Sequence, residues 1–126
     1  MKERSIMVKI DDFSGLSQAL IDKTITKEEL LKQAKLDSSL IQLLARGISS
    51  SKAAVRYSCA KVLMDLSDKA PERLYSYFDF FVDLLGSRYR ILTRNALAII
   101  ANLTRVDPHK KFDAIFSKYY CLLYND

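Results

Sequence analysis

The chain has 126 residues, enough for one domain whose folding buries roughly two-thirds of its unfolded surface. Hydrophobic residues make up 49% and charged residues 28%, glycine (3) and proline (2) are scarce and tryptophan is absent; this balance excludes collagen, a disordered linker and most turn-rich β-sandwiches. Twenty basic against fifteen acidic side chains give +5, which permits an acidic partner or nucleic acid, and the longest uncharged run, Asn95 to Thr104, is too short to span a membrane.

Residues 1–12 show no clear period, and Ser5 to Ile10 reads as a short extended piece. The uncharged run Ser5 to Val8, between Arg4 and Lys9, is too short for a signal-peptide core, so a cytoplasmic location is expected. Asp11 or Asp12 is placed to cap a helix running to about Lys23, with Leu16, Leu20 and Ile21 on its inner face. Thr26-Lys27-Glu28-Glu29 matches a capping box and predicts a helix over 27–35 with Leu30, Leu31 and Ala34 inward. Asp37-Ser38-Ser39 is a further N-cap cluster, followed by the stripe Leu40, Ile41, Leu43, Leu44 and Ile48. Gly47 and the serines 49–51 break that helix. The next, over 52–69, buries Val55, Cys59, Val62, Leu63 and Leu66 at helical spacing and stops before Pro71. Further helices are predicted over 75–85, 91–106 and 112–124. The helix from Ile91 is apolar nearly all round, which predicts burial in the middle of the fold, and the cluster Tyr75, Tyr77, Phe78, Phe80 and Phe81 reads mainly as core.

A shift of 37 residues lays this pattern on itself. Pro71 meets Pro108, Leu66 meets Leu103, Val62 and Leu63 meet Ile99 and Ile100, Cys59 meets Ala96, and Val55 meets Leu92. In the preceding helix Ile41 meets Phe78, Leu44 meets Phe81 and Ile48 meets Leu85; a second shift takes Phe78 to Ile115 and Leu85 to Leu122. A repeated pair of helices of this length cannot bury its apolar face alone, so neighbours must stack. Residues 54–63 with Asp68-Lys69-Ala70-Pro71 resemble the second helix and exit of a HEAT repeat, and Asn95-Ala96-Leu97 with Val106-Asp107-Pro108 resemble the next copy. The resemblance covers about residues 36–123. It implies an all-α fold, a right-handed α-α superhelix of about two and a half hairpins in a single domain: an N-terminal helical cap (1–35), repeat 1 (36–72), repeat 2 (73–109) and a partial repeat 3 (110–126). It also implies partner binding and carries over no catalytic residue. The second copy has Thr93 where the first has Arg56, so any inter-repeat role of that arginine is broken there.

Catalytic sets are not visible. His109 is the only histidine, and one ligand makes neither a metal site nor a dyad. Asp11/Asp12 and Glu28/Glu29 sit at helix starts, where they complement the macrodipole, and Asp79/Asp83 share a polar face. Gly15, Gly47 and Gly86 stand alone, so no phosphate loop exists. Cys59 and Cys121 lie too far apart in sequence for a zinc motif and read as small apolar residues in a reducing compartment. No enzyme activity, cofactor or metal is expected.

Charge is more informative. Residues 86–111 hold six basic side chains and one acid, Asp107. On the predicted concave face Tyr57 and Lys61 align with Arg94 and Ala98, and with Arg90 and Arg105 they make a candidate groove for another protein or an acidic peptide. Nucleic acid is the alternative partner, through the basic 86–111 segment. Phe116, Tyr119, Tyr120 and Leu123 form a candidate self-association edge, which allows a homodimer.

Overall fold

The computed structural model describes residues 10–124, and most of the expected extended piece at Ser5–Ile10 lies outside them. Among the described residues the chain is all-helical, with no strand. It divides into two compact units, Met1–Val62 and Leu63–Asp126.

The first unit is built from capped helices. Helix α1 (Phe13–Asp22) starts at Asp12, whose Oδ1 accepts the Gly15 N–H at 2.8 Å. Helix α2 (Lys27–Leu36) starts at Thr26, whose hydroxyl oxygen accepts the Glu29 N–H at 3.1 Å. Helix α3 (Ser38–Gly47) starts at Asp37, whose Oδ1 accepts the Ser39 N–H at 3.0 Å. Each cap satisfies one of the donors a helix start leaves open. Leu16, Leu20, Leu30, Ala34, Ile41 and Leu44 are buried as expected. Ile21 is not: it is 40% exposed, and Ala19 takes its place. At about 100° per residue Ile21 lies some 140° round from Leu16, whereas 16, 19 and 20 share one stripe.

Helix α4 (Ala53–Lys69) follows, and in its first half Val55, Cys59 and Val62 are buried. Gly47 at the end of α3 is buried and faces Cys59: a Cβ at position 47 would fall well inside contact distance of Cys59 Sγ and 3.2 Å from its Cβ.

In the second unit Leu63 and Leu66 of α4 are buried together with Leu74, Phe78 and Phe81. The helix expected over 75–85 begins as a 3-10 turn, Tyr75–Tyr77, and is α-helical only over α5 (Phe78–Leu84). Helix α6 covers Arg90–Leu103, and the expected continuation to Val106 is a 3-10 turn, Thr104–Val106. Asp107, before Pro108, then leaves helical geometry (φ −93°, ψ 75°). Leu92, Ala96, Ile99, Ile100 and Leu103 are buried, but Ile91 is 53% exposed and Ala101 is exposed, so α6 buries one broad face rather than its whole girth.

Helix α7 (Lys111–Tyr124) is set by Asp107. Its Oδ1 accepts the Lys111 N–H and its Oδ2 the Phe112 N–H, both at 2.9 Å, while the Tyr75 hydroxyl donates to Oδ1 and accepts the His109 N–H at 3.2 Å. Burial alone would raise the Asp107 pKa, but the bonds from Tyr75, Phe112 and Lys111 outweigh it and hold the carboxyl below its ordinary value of 3.8. A depressed folded pKa gives stability that is present above the ordinary value and lost as pH falls through the folded one. Asp107→Asn is expected to cost about 1 kcal/mol at neutral pH, and the gap from wild type should narrow over the window from neutral pH down into the acid range below the ordinary carboxylate value. Urea titrations at both ends of that window test this; a gap of constant size would show that the charge on Asp107 does not hold α7.

The turns α3–α4 and α5–α6 are built alike at the 37-residue offset. Ile48, Ser49 and Ser50 donate to Ala45, Arg46 and Gly47, as Leu85, Gly86 and Ser87 donate to Val82, Asp83 and Leu84. Ser50 Oγ accepts the Lys52 N–H at 3.1 Å, and Ser87 Oγ accepts the Tyr89 N–H at 3.0 Å. The Arg56 guanidinium donates to the Ser50 carbonyl at 3.0 Å, and the Thr93 hydroxyl to the Ser87 carbonyl at 3.3 Å. Threonine therefore takes over the turn-holding bond of Arg56, a role the residue change did not suggest.

Candidate partner-binding cleft

The five groove residues fall in different units. Tyr57 and Lys61 lie on the first unit's part of α4, and the Arg56 guanidinium stacks on Tyr57 at 4.7 Å. Arg90, Arg94 and Arg105 belong to the second unit.

Arg105 does structural work there. Its Nη2 donates to the Ser67 and Asp68 carbonyls at 3.1 and 2.7 Å, its Nε donates to the Asn102 carbonyl at 3.2 Å, and the Asp68 carboxylate lies 3.8 Å away. Ser67 and Asp68 are in the last turn of α4, where carbonyls lack helical partners and a cation is favoured. Asn102 Nδ2 adds a bond to the buried Ser67 Oγ at 3.0 Å, and that hydroxyl donates to the Met64 carbonyl at 2.6 Å. Arg105 thus closes the end of α4.

Arg90 and Arg94 are brought together. With Arg88 they line a cavity of about 390 Å³ whose other walls include Leu85, Leu97 and Leu122. Arg90 and Arg94 stand one turn apart on α6, so their guanidinium groups rise from one face. Leu85 and Leu97 are buried, and Leu122 is half-buried on α7. No carboxylate and no imidazole line this cavity among the described residues. Arg94 and Leu97 also line an adjoining hollow of about 360 Å³ with Ala98, Tyr119 and Leu123. The cleft therefore runs along α6 and α7.

The expected self-association edge is divided. Tyr119 is buried: its hydroxyl donates to the Leu97 carbonyl at 2.8 Å and its ring meets Phe112 edge-on at 5.1 Å. It holds α7 to α6 and is not an open surface. Phe116, Tyr120 and Leu123 are exposed, and Tyr124 continues the series, with ring distances of 4.6 Å from Phe116 to Tyr120 and 5.9 Å from Tyr120 to Tyr124. Sequence reading missed the joining of Arg88, Arg90 and Arg94 with Leu122; the closeness of the arginines was visible, but their α7 neighbour was not.

His109 is exposed in the loop before α7, its ring 5.9 Å from that of Tyr75, and Asp79 pairs with Lys111 at 3.1 Å. Among the described residues no group of three or more His, Cys, Asp or Glu is placed to hold a metal ion, and no helix is long and apolar enough to cross a membrane.

Both cysteines are free, but Cys121 is exposed on α7 beside the arginines and Cys59 is buried. Burial pushes the Cys59 thiol up to about 12. A thiol reacts as its thiolate, so Cys59 should resist iodoacetamide at pH 8 while the folded protein takes up one equivalent, at Cys121, and a second only in denaturant. Mass spectrometry of the labelled peptides reads this directly, and early labelling of Cys59 would contradict the packing around Gly47.

The fold and cleft define an all-helical protein with a basic, apolar-floored surface on its second unit. No family model, curated protein or solved structure matches the chain.

Proposed function

We propose that the chain is a non-enzymatic interaction module of HEAT-like hairpins wound as a right-handed superhelix, and that its second unit binds an acidic protein partner. The repeated turns, bonded alike 37 residues apart, support the solenoid reading. The observation that carries the function is the cavity lined by Arg88, Arg90 and Arg94 over leucines. Guanidinium groups pair bidentately with carboxylates, and solenoids serve as binding scaffolds. Two free cysteines fit a reducing compartment such as the cytoplasm.

Nucleic acid is the weaker reading. Of the six cations of the basic 86–111 segment, Arg88, Arg90 and Arg94 line the cavity and the other three do not, so the cleft's charge is a compact cluster. A duplex tract needs cations spread along a groove, and a site with 6–10 phosphate contacts loses about 10³–10⁵ in affinity between 50 and 200 mM salt.

A poly-glutamate peptide and a short DNA duplex, titrated by calorimetry at those two salt concentrations, separate the readings. The peptide should bind, and the double variant Arg90→Glu with Arg94→Glu should lose at least about tenfold while its circular dichroism and melting stay unchanged. DNA binding with the steep salt dependence, or peptide binding indifferent to both charge reversals, would overturn the proposal.

A further inference from the structure

We infer that the cleft recognises a carboxylate and an aliphatic side chain together: its occupant is a short partner segment in which an acidic residue stands next to a leucine-like one. This rests on the acidic-partner reading above and narrows it.

The cavity has two chemically distinct parts. Arg88, Arg90 and Arg94 are exposed and set its charged side. Leu85 and Leu97, both buried, form its floor, and Leu122 closes it from α7. A bare anion would meet the guanidinium groups and leave the half-buried Leu122 wet. An apolar side chain alone would cover Leu122 but draw water away from guanidinium groups to which it offers no counter-charge, a costly exchange. A segment carrying both groups satisfies each part, and the volume of about 390 Å³ falls in the usual range of roughly 300–1,000 Å³ for binding sites. The adjoining hollow beside Leu97 and Leu123 gives such a segment room to continue along α6 and α7.

The test uses the full chain and three acetylated, amidated hexapeptides: glutamate alternating with leucine, glutamate alternating with serine, and lysine alternating with leucine. Calorimetry measures affinity, and the rate of Cys121 alkylation reports whether the cleft itself is covered. The glutamate–leucine peptide should bind at least about tenfold more tightly than the glutamate–serine one, since filling an apolar pocket is worth about that factor per group. It should slow Cys121 labelling at a lower concentration than the glutamate–serine peptide does, and the lysine–leucine peptide should not bind. Leu122→Ser should weaken only the glutamate–leucine peptide, whereas Arg90→Glu with Arg94→Glu should remove both glutamate peptides. Equal affinity for the two glutamate peptides would overturn this inference and leave the acidic-partner reading standing. So would inorganic phosphate displacing the glutamate–leucine peptide at millimolar concentration, because the site would then take a bare anion. Failure of both glutamate peptides to bind would overturn the two readings together.

Discussion

Gly47→Ala is expected to destabilise the protein by about 2 kcal/mol despite adding a better helix former. Two effects oppose each other. Alanine in place of glycine gains about 0.5–1 kcal/mol inside a helix, and at most that at Gly47, the last residue of α3. Against that, the new methyl group would overlap Cys59 Sγ, and Cys59 is fully buried on α4. Overpacking of a filled core costs about 1–3 kcal/mol, and an overlap this deep with a side chain held on a helix belongs at or beyond the upper end. The clash should therefore win. Cys59→Ala removes the sulfur and leaves the two Cβ atoms 3.2 Å apart, so it should recover much of the loss in the double variant although it is destabilising alone. Urea unfolding of the four proteins closes this cycle. A double variant that is no better than the sum of its parts would mean that α3 and α4 do not meet through this pair.

Tyr119 carries the second large effect. Tyr119→Ala should cost about 3–5 kcal/mol, the usual loss for truncating a buried aromatic, and should release α7 from the second unit. Tyr119→Phe keeps the ring against Phe112 but gives up the bond to the Leu97 carbonyl, and should cost about 1 kcal/mol. Its neighbour Tyr120 is exposed, and Tyr120→Ala should change stability by no more than about 0.5 kcal/mol. Denaturant midpoints with helicity at 222 nm measure all three. Comparable losses at 119 and 120 would refute the distinction between anchor and surface.

That distinction also marks where the sequence stopped being readable. Caps were legible because they are local: Asp12, Thr26 and Asp37 stand at the starts they serve. Buried stripes were legible in α3 and α4 because each has a clear apolar face, Val55 to Leu66 above all, whereas α6 is apolar nearly all round in sequence and did not reveal that Ile91 and Ala101 stay exposed. In helix α7 Phe116, Tyr119, Tyr120 and Leu123 share one arc of about 100°, so apolar character alone could not say which one faces α6. Arg105 failed for a different reason. In a sequence it is a charge on a helix, but its partners are main-chain carbonyls at Ser67 and Asp68, which no residue type advertises. Of the candidate groove, Arg90 and Arg94 were found by charge, while Leu85 and Leu122 entered as core positions of the repeat with no hint that they border the arginines.

The exchange of Arg56 for Thr93 has a consequence for how the two turns, α3–α4 and α5–α6, can be altered. In the first, a guanidinium both bears charge and fastens the turn, so reversing that charge would also unfasten the carbonyl of Ser50. In the second, a neutral hydroxyl does the fastening at Ser87. At this second turn charge and architecture are thereby held by separate side chains. The electrostatic character of its cleft can drift, or be redesigned, with the turn beneath it left intact.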